Sequence, residues 1–285
     1  MPKVTPPLKY PGGQSYAAKL IVSRMPARCR TPNAPDPGDP GWLHYVEPYF
    51  GGGSVLFAND PEGISEAVND KHARLTNFWR VLQEPDAFAL FRRKLEATPM
   101  SQPEFDRAGH AILLYHLDVD DAVRYFTRMR QSFGGTGKSF SPASKLRTRG
   151  GMNEQASAWL GSVRRLDAVH ARMRRVLVLG PANGIEIIRQ QDSPRTFFYC
   201  DPTFLGETRE TKDLYDHEMS VADHQELLET LSLCKGKFAL SGYPSPMYTL
   251  AEVKYNWNRH DFTMPNNASG GKKKRTRLNC LWTNY

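Results

Sequence analysis

The sequence predicts an α/β fold in which a mainly helical segment is inserted into a Rossmann-like sheet. Three observations support this prediction. The apolar, β-prone run at 197–200 ends in the carboxylate of Asp201, which is typical of a buried strand that brings polar groups to the carboxyl edge of a sheet. A glycine cluster at 51–53 follows a short apolar segment, as in the first turn of sheets that bind nucleotides. Between these features, residues 84–173 have a helical pattern.

The amino-terminal motif is Leu-Lys-Tyr-Pro-Gly-Gly-Gln at residues 8–14, followed by a helical pattern at Ala17, Leu20 and Ile21. Tyr10 beside two glycines can form a flat wall over the base of a ligand. The alternative is an unordered start that ends in a turn. The Pro- and Gly-rich stretch at 31–41 predicts an exposed, flexible loop, to which we assign no function.

The glycine cluster lies within Tyr-Val-Glu-Pro-Tyr-Phe-Gly-Gly-Gly-Ser-Val-Leu-Phe at 45–57. Glycines let the backbone turn sharply and approach a ligand where a Cβ would clash, and the apolar residues after them can open a helix. About seventeen residues past Gly53 stands Asp70, close to the spacing at which a second-strand carboxylate reaches ribose hydroxyls. Because the cluster is not GxGxxG, a ligand with one nucleoside fits better than a dinucleotide. The alternative is a Gly-rich connection plus a solvated aspartate.

The middle and the end of the chain differ in pattern. Helical spacing is found at Phe88, Leu90, Phe91 and Leu95 and from Ala122 to Met129, before a glycine-rich loop at 132–138. Residues 174–285 return to alternating strands and helices. We predict strands at 176–179, 196–201 and 238–243, a helix at 221–234, and a hairpin of strands 255–263 and 277–282. One domain is therefore assigned to 1–83 and 174–285, and an inserted domain to 84–173.

The four residues Asp201, Pro202, Thr203 and Phe204 can hold a planar ring that bears an amine. The Asp201 carboxylate and the Pro202 carbonyl can accept its N–H protons, and Phe204 can stack on its face. The alternative is a strand followed by an ordinary Asp-Pro turn.

The charge of the chain favours a polyanionic partner. The formal net charge is +8 and the pI is near 9.3. Basic side chains are concentrated around the glycine-rich loop and in the predicted hairpin loop: Arg124, Arg128, Arg130, Lys138, Lys145, Arg147 and Arg149, then Lys272, Lys273, Lys274 and Arg275. They suit phosphate contacts. The alternative is a solvated surface.

Other function classes are disfavoured by what the sequence does not contain. It has no run of eighteen apolar residues, so we expect no membrane span. Its four cysteines form no CxxC pair and its eight histidines form no HxxxH cluster, so we expect no metal. The first residues have no signal-peptide h-region. His224 is expected to be a helix-surface or packing residue and not a catalyst.

These motifs, in this order, resemble the DNA adenine-N6 methyltransferases of the Dam (D12) family. The matching segments are Lys-Tyr-Pro-Gly-Gly at 9–13, Glu-Pro-Tyr-Phe-Gly-Gly-Gly-Ser at 47–54, Asn-Asp at 69–70 with Leu75, Asn77 and Phe78, Asp-Pro-Thr-Phe at 201–204, Asp223-His224 with Leu227, Lys-Phe-Ala-Leu-Ser-Gly-Tyr at 237–243, and Leu-Trp-Thr-Asn-Tyr at 281–285. The ordered set is more specific than any one of its motifs.

The resemblance implies an S-adenosylmethionine-dependent methyltransferase sheet, S-adenosylmethionine as methyl donor, and residues 84–173 as a helical target-recognition insertion. Cofactor-site positions correspond to Tyr10, Gly12, Gly13, Glu47, Phe50, Gly51, Gly53, Asp70, Asn183 and Asp201. The catalytic motif corresponds to Asp201, Pro202, Thr203 and Phe204. For nucleic-acid binding we select Lys9, Arg128, Arg130, Ser132 and Lys138.

Four positions depart from the family pattern. Thr203 replaces the usual proline and is expected to loosen the turn that presents the Pro202 carbonyl. Phe204 replaces the commoner tyrosine and can stack equally well. Gln14 stands where the family usually has lysine. Asn183 stands where an aspartate often contacts the adenine of the cofactor, and its amide can still form hydrogen bonds there.

The expected function is site-specific methylation of the N6 amine of a flipped adenine in double-stranded DNA, by a monomer in the cytoplasm of a bacterial or phage-infected cell. Two alternatives stay open. One is a methyltransferase that acts on RNA adenine or on a protein glutamine. The other is a DNA-binding homologue whose catalysis was weakened by Thr203.

Overall fold

The computed structural model describes residues 4–29, 41–109, 117–141, 146–209, 216–265 and 276–285. Contacts divide the chain into two units. The helical unit consists of residues 1–13, 51–57 and 72–178, and the sheet unit of 14–50, 58–71 and 179–285. Most of the predicted Pro- and Gly-rich loop, Lys145 and the 272–275 basic run lie outside the described residues. The predicted insertion at 84–173 falls within the helical unit, and its role in recognition stays a prediction.

The helices and strands are numbered in chain order. The α-helices are α1 (Ala18–Arg24), α2 (Ala73–Gln83), α3 (Pro85–Glu96), α4 (Gln102–Arg107), α5 (Val119–Gln131), α6 (Glu154–Arg164), α7 (Leu166–Met173), α8 (Gly184–Gln191), α9 (Val221–Ser232) and α10 (Pro246–Tyr255). The strands are β1 (His44–Glu47), β2 (Ser65–Val68), β3 (Thr148–Arg149), β4 (Met152–Asn153), β5 (Leu177–Val178), β6 (Thr196–Cys200), β7 (Lys237–Gly242), β8 (Asn258–Pro265) and β9 (Thr276–Thr283).

Six strands of the sheet unit pair in the order β2-β1-β6-β7-β9-β8. β1 is parallel to β2 and β6, and β6 is parallel to β7. β9 is antiparallel to β7 and to β8, which confirms the predicted terminal hairpin. The carboxyl ends of four parallel strands therefore lie along one edge of the sheet. This mixed α/β unit with a mostly parallel sheet agrees with the predicted fold class.

The core of the sheet unit explains why the central strand β6 is mainly apolar. All five residues of β6 are buried, as expected for a strand that is covered on both faces. Phe198 and Cys200 pack with the isoleucines of α8 and the leucines of α9. Phe197 points to the other face, where its ring lies 5.4 Å from Trp42 and 6.0 Å from Tyr45. The alternation along the strand thus supplies two separate layers of core.

The helical unit is organised around aromatic side chains. Phe78 of α2, Phe91 of α3 and Phe126 of α5 lie with ring centroids 5.9–6.0 Å apart. Asp118 begins α5 by accepting the Asp121 backbone N–H at 2.8 Å, which is the usual function of an aspartate N-cap. The predicted helical pattern is confirmed in α3 and α5, although Leu90 of α3 is 46% exposed.

Two local predictions were wrong in detail. The apolar residues after the glycine cluster do not open a helix: Phe57 donates its N–H to the Gly53 carbonyl at 3.1 Å, and the segment continues as turns. Val55, Leu56 and Phe57 are all buried, whereas successive helical residues point about 100° apart and do not share one face. The predicted strand at 176–179 is shorter, only Leu177–Val178. Within the described residues no helix is both long and apolar enough to cross a membrane.

Candidate active site

The candidate site of the sheet unit is the edge where the parallel strands end. β1 and β6 are neighbours in the sheet. The strand that follows β1 in the chain, β2, lies on one side of this pair, and the strand that follows β6, β7, lies on the other side, so the order of the strands reverses between β1 and β6. Open α/β sheets bind ligands outside the carboxyl ends at such a switch point. Glu47 is the last residue of β1, and Asp201 directly follows β6. These two carboxylates therefore flank the reversal.

Glu47 is buried, and its carboxylate is held by another side chain of the same strand. The Tyr45 hydroxyl donates to Glu47 Oε1 at 2.7 Å. Burial, followed by the neighbouring Glu47 charge, raises the pKa of Tyr45 well above its usual value, so the phenol stays a donor. Asp70 is half-buried and follows β2 by two residues, on the far side of β1.

Asn69 connects three segments at this edge, a function for which the sequence analysis made no prediction. Its side-chain Nδ2 donates to the carbonyls of Pro48 and Ala182, both at 3.0 Å, and its Oδ1 accepts from the Ala182 N–H at 3.2 Å. Its own carbonyl accepts from the Phe50 N–H at 2.8 Å. A Cβ on Gly180 would overlap Asn69 Oδ1. The glycine in Leu-Gly-Pro-Ala-Asn, at 179–183, was the sequence signal for this close approach.

Asn183 begins α8. Its Oδ1 accepts the Ile185 backbone N–H at 3.0 Å, which leaves the NH₂ group as the part of the amide that can donate to a ligand. Phe50 is buried next to the glycine cluster. The sheet unit thus contains, on segments that Asn69 connects, the predicted cofactor residues Phe50 and Asp70, with Asn183 adjoining them.

Asp201 is a carboxyl group at the edge whose pKa is strongly perturbed. It is half-buried, and Gln14 Nε2 donates to its Oδ1 at 3.2 Å. Burial raises the pKa of Asp201 from 3.8 to about 7, and the hydrogen bond from Gln14 acts in the opposite direction. Carboxyl groups with such shifts are frequent at functional sites.

Two of the residues after Asp201 are held by contacts of their side chains. Pro202 is buried. Thr203 Oγ1 accepts the Met219 backbone N–H at 3.0 Å. The Phe204 ring meets Tyr243, directly after β7, edge to face, with centroids 4.6 Å apart and planes at 75°. The guanidinium of Arg277 lies over the Tyr243 ring at 4.2 Å. The aromatic residue of the motif therefore has a fixed neighbour, which the sequence analysis did not anticipate.

His224 is a packing residue, and the helix-surface alternative for it is wrong. It is fully buried in α9, and its Nδ1 lies 2.9 Å from the Tyr248 hydroxyl. Burial lowers the pKa of His224 to about 4, so the imidazole is neutral near pH 7.

In the helical unit the structure brings the amino-terminal motif and the glycine cluster together. A Cβ on Gly52 would come within 2.8 Å of the Tyr10 Cβ, and Gly51, at φ +50°, lies against the Tyr10 ring. Gly12 and Gly53 have φ of +70° and +71°, a region that favours glycine. The Gly13 N–H donates to the Tyr10 carbonyl at 3.2 Å, which forms a turn within the motif. Glycine is thus required for both the close approach and the turn.

The glycine-rich loop is closed by two residues that were predicted to bind nucleic acid. Ser132 is buried, and its Oγ donates to the Met129 carbonyl and accepts from the Gly137 N–H. Arg128 donates to the carbonyls of Gly137 at 2.6 Å and Phe105 at 2.9 Å, with its guanidinium 3.7 Å from the Phe105 ring centroid. These contacts form the loop, and a direct contact of either side chain with DNA stays a prediction.

The other predicted nucleic-acid residues differ in exposure. Lys138 is exposed. Arg130 is partly buried, with a guanidinium N–H directed at the Ala158 carbonyl at 3.5 Å, and burial lowers its pKa to about 10. Burial and then the charge of Arg130 also lower the pKa of Lys9. A Cβ on Gly135 would come within 2.5 Å of the Lys9 carbonyl, so the loop packs on the amino-terminal motif.

The donor chemistry of the site is that of carboxylates, amides and aromatic rings. Among the described residues, no group of three or more histidine, cysteine, aspartate or glutamate side chains is arranged to hold a metal ion. The edge can instead accept hydrogen bonds from an amine and stack a planar ring.

Comparison with known proteins agrees with this chemistry. The family model for D12 class N6 adenine-specific DNA methyltransferases matches residues 10–139. The matched range includes the Tyr10 motif, the glycine cluster, Asp70 and the glycine-rich loop. A search of curated proteins returned no match.

Proposed function

We propose that the chain is a member of the D12 class of N6 adenine-specific DNA methyltransferases, whose family model matches residues 10–139, and that it methylates an adenine flipped out of duplex DNA, with S-adenosylmethionine as donor. The observation that most supports this is the position of Asp-Pro-Thr-Phe. The motif directly follows the central strand β6, at the point where the strand order reverses, and its carboxyl group has a pKa raised to about 7.

The residues present fit the proposed cofactor. In the sheet unit, the buried Glu47 and the half-buried Asp70 offer carboxylates to hydroxyl or amino groups, Phe50 offers an apolar face, and Asn183 offers amide hydrogens. In the helical unit, the positive φ of Gly51 and Gly53 forms a turn that favours glycine, and the Tyr10 ring lies against Gly51. When bound, S-adenosylmethionine supplies a methyl group on a positively charged sulfur. Tyr10, Gly12, Gly13 and Asp201 complete the proposed set.

The catalytic motif makes adenine N6 a better nucleophile. The N6 lone pair is delocalised into the ring, and acceptors on both N–H protons favour a pyramidal nitrogen with a directed lone pair. We assign these acceptors to the ionised Asp201 carboxylate and the Pro202 carbonyl. Phe204 stacks on the ring and fixes the direction of attack. Positioning and electrostatics then provide the rate without a covalent intermediate.

The target base must leave the helical stack to enter such a site. The positive charge of the chain supports binding to the backbone of duplex DNA. Lys138, Arg147 and Arg149 are exposed on the helical unit, and we assign them phosphate contacts that position the protein without reading the sequence. We propose that the protein acts as a monomer.

Methyl transfer from isotopically labelled S-adenosylmethionine, offered in parallel to duplex DNA, RNA and protein, tests the proposal. We expect label in duplex DNA only, recovered as N6-methyladenine after digestion to nucleosides. Label in cytosine, RNA or protein glutamine would contradict the proposed substrate. Cofactor binding without methyl transfer to DNA, RNA or protein would indicate a DNA-binding homologue that does not catalyse the reaction.

A further inference from the structure

Gln14 is the side chain that holds the Asp201 carboxyl group. Its Nε2 donates to Asp201 Oδ1 at 3.2 Å, across 187 positions of sequence. The Gln14 side chain is only 7% exposed. Its backbone is fixed as well, because its carbonyl accepts the N–H groups of Ala17 at 2.9 Å and Ala18 at 2.7 Å where α1 begins. The amide is therefore placed by the start of a helix and is largely removed from solvent.

The surroundings of Asp201 make this contact important. Its side chain interacts with the buried Tyr199 and Cys200, whose pKa values burial and, more weakly, the Asp201 charge both raise. Glu47 acts on the same two groups in the same direction. The Tyr199 hydroxyl lies 2.9 Å from Ser241 Oγ. Tyr199, Cys200 and Glu47 therefore do not stabilise the ionised form of Asp201, whereas Gln14 does so by donating a hydrogen bond.

We propose that Gln14 is a positioning residue for methyl transfer, which holds one oxygen of Asp201 and leaves the other oxygen to accept a hydrogen bond from the target amine. This inference rests on the proposed function. A carboxylate oxygen that is hydrogen-bonded cannot rotate freely, and a carboxylate has two oxygens. The hydrogen bond from Gln14 therefore determines which oxygen of Asp201 faces the target base.

Because Gln14 is neutral, we expect methyl transfer to depend on pH near neutrality. A lysine here, as the family resemblance leads one to expect, would stabilise the carboxylate by charge as well as by a hydrogen bond. An amide provides the hydrogen bond alone. Because burial raises the pKa of Asp201 to about 7, the carboxylate is half protonated near neutral pH, and methyl transfer should increase as the pH rises through that value.

The test compares Gln14→Ala, Gln14→Lys and the wild type by steady-state methyl transfer to duplex DNA between pH 5.5 and 9. For Gln14→Ala we expect kcat to fall about tenfold at pH 7, the effect of losing one hydrogen bond to a charged group, with KM for DNA and for cofactor within about threefold. The midpoint of its kcat profile should move to higher pH, and that of Gln14→Lys to lower pH.

Gln191→Ala is the matched control. Gln191 is another glutamine of the sheet unit and is half-buried, but its Oε1 lies 3.0 Å from Nε2 of His44, the first residue of β1. That contact is at the opposite edge of the sheet, so its loss should leave the kcat profile unchanged. A second readout needs no substrate: the ¹³C NMR shift of the Asp201 carboxyl carbon should titrate at higher pH in Gln14→Ala than in the wild type.

The outcomes separate the inference from the proposed function. A wild type that folds but methylates no adenine would contradict the proposed function. A wild type that is active, with Gln14→Ala showing the same kcat and the same midpoint, would overturn the role of Gln14 alone. An Asp201 carboxyl that titrates identically in both proteins would show that the hydrogen bond is not formed in solution and would also overturn it.

Discussion

The Thr203 hydroxyl accepts a hydrogen bond from the backbone N–H of Met219 at 3.0 Å. Met219 directly precedes Ser220, the N-cap of α9, where Ser220 and Asp223 form a reciprocal capping box. The turn after Asp201 is therefore connected to the beginning of a well-capped helix. From the sequence, Thr203 is expected to loosen this turn because it stands where the family usually has a proline. The hydroxyl instead provides a different restraint on the same backbone.

Thr203→Val should lower activity because valine keeps the shape and loses the acceptor. The Met219 N–H would lose its partner, and the turn that presents the Pro202 carbonyl would move more freely. We expect kcat to fall about five- to tenfold, the equivalent of one neutral hydrogen bond, with cofactor KM unchanged. Thr203→Ser keeps the hydroxyl and should retain most of the activity. Equal kcat values for the two variants would show that the hydrogen bond does not position the turn.

Asp201→Asn should be more stable than the wild type at alkaline pH. Burial raises the folded-state pKa of Asp201 from 3.8 to about 7. Between these values the folded protein keeps a proton that the unfolded chain releases, so the free energy of unfolding falls as the pH rises through this window. Urea denaturation should show a gain of about 2 kcal/mol for the variant at pH 8, allowing for partial exposure, and almost none at pH 4.

The control for this stability measurement is Asp86→Asn, which removes one negative charge from an exposed position of α3. If both variants changed stability equally at the two pH values, the effect at Asp201 would reflect net charge and not the burial of its carboxyl group.

Asn69→Ala should be strongly destabilising. It removes the side-chain hydrogen bonds to the buried Pro48 and to the half-buried Ala182, so their backbone groups lose these partners. We expect the free energy of unfolding to fall by about 2–4 kcal/mol in urea denaturation. Asn279→Ala is the control, because Asn279 is also buried and its side chain donates locally, to the Arg277 carbonyl at 3.3 Å. Similar losses for both would contradict a special role for Asn69.

Tyr243→Ala should weaken methyl transfer by releasing Phe204. The edge-to-face contact at 4.6 Å fixes the orientation of the Phe204 ring, and such an aromatic pair contributes about 1 kcal/mol. We expect a roughly fivefold loss in kcat/KM for DNA. Tyr243→Phe keeps the ring and should behave like the wild type. A loss in Tyr243→Phe as large as in Tyr243→Ala would assign the effect to the hydroxyl.

Much of the fold could be predicted because its strands and helices have local signals. β6 is buried at every position because both faces are covered, and the terminal hairpin is formed by two consecutive strands of the chain. Glu47, Asp70 and Asp201 each lie at or just after the end of a predicted strand. Parallel pairing of the strands brings these ends to one edge of the sheet. For these residues local pattern and topology were sufficient.

The remaining features depend on contacts that no local pattern specifies. The bond between Gln14 and Asp201 joins residues 187 positions apart, and the partner of Thr203 comes from a segment without a motif. Arg128 and Ser132 look like ligands of phosphate in the sequence, but their nearest partners are carbonyls and an N–H of the loop itself. A basic or hydroxyl side chain near glycines can bind phosphate or can form hydrogen bonds within its own loop. Only the structure of the folded loop distinguishes these two functions.

The most direct test of the proposed chemistry is single-turnover methyl transfer by Asp201→Ala, with labelled S-adenosylmethionine and duplex DNA at pH 8. We expect formation of N6-methyladenine to fall by at least about a thousandfold, while cofactor affinity stays within a few-fold of the wild type. Retention of most of the activity would contradict the assignment of Asp201 as the acceptor that holds the adenine amine.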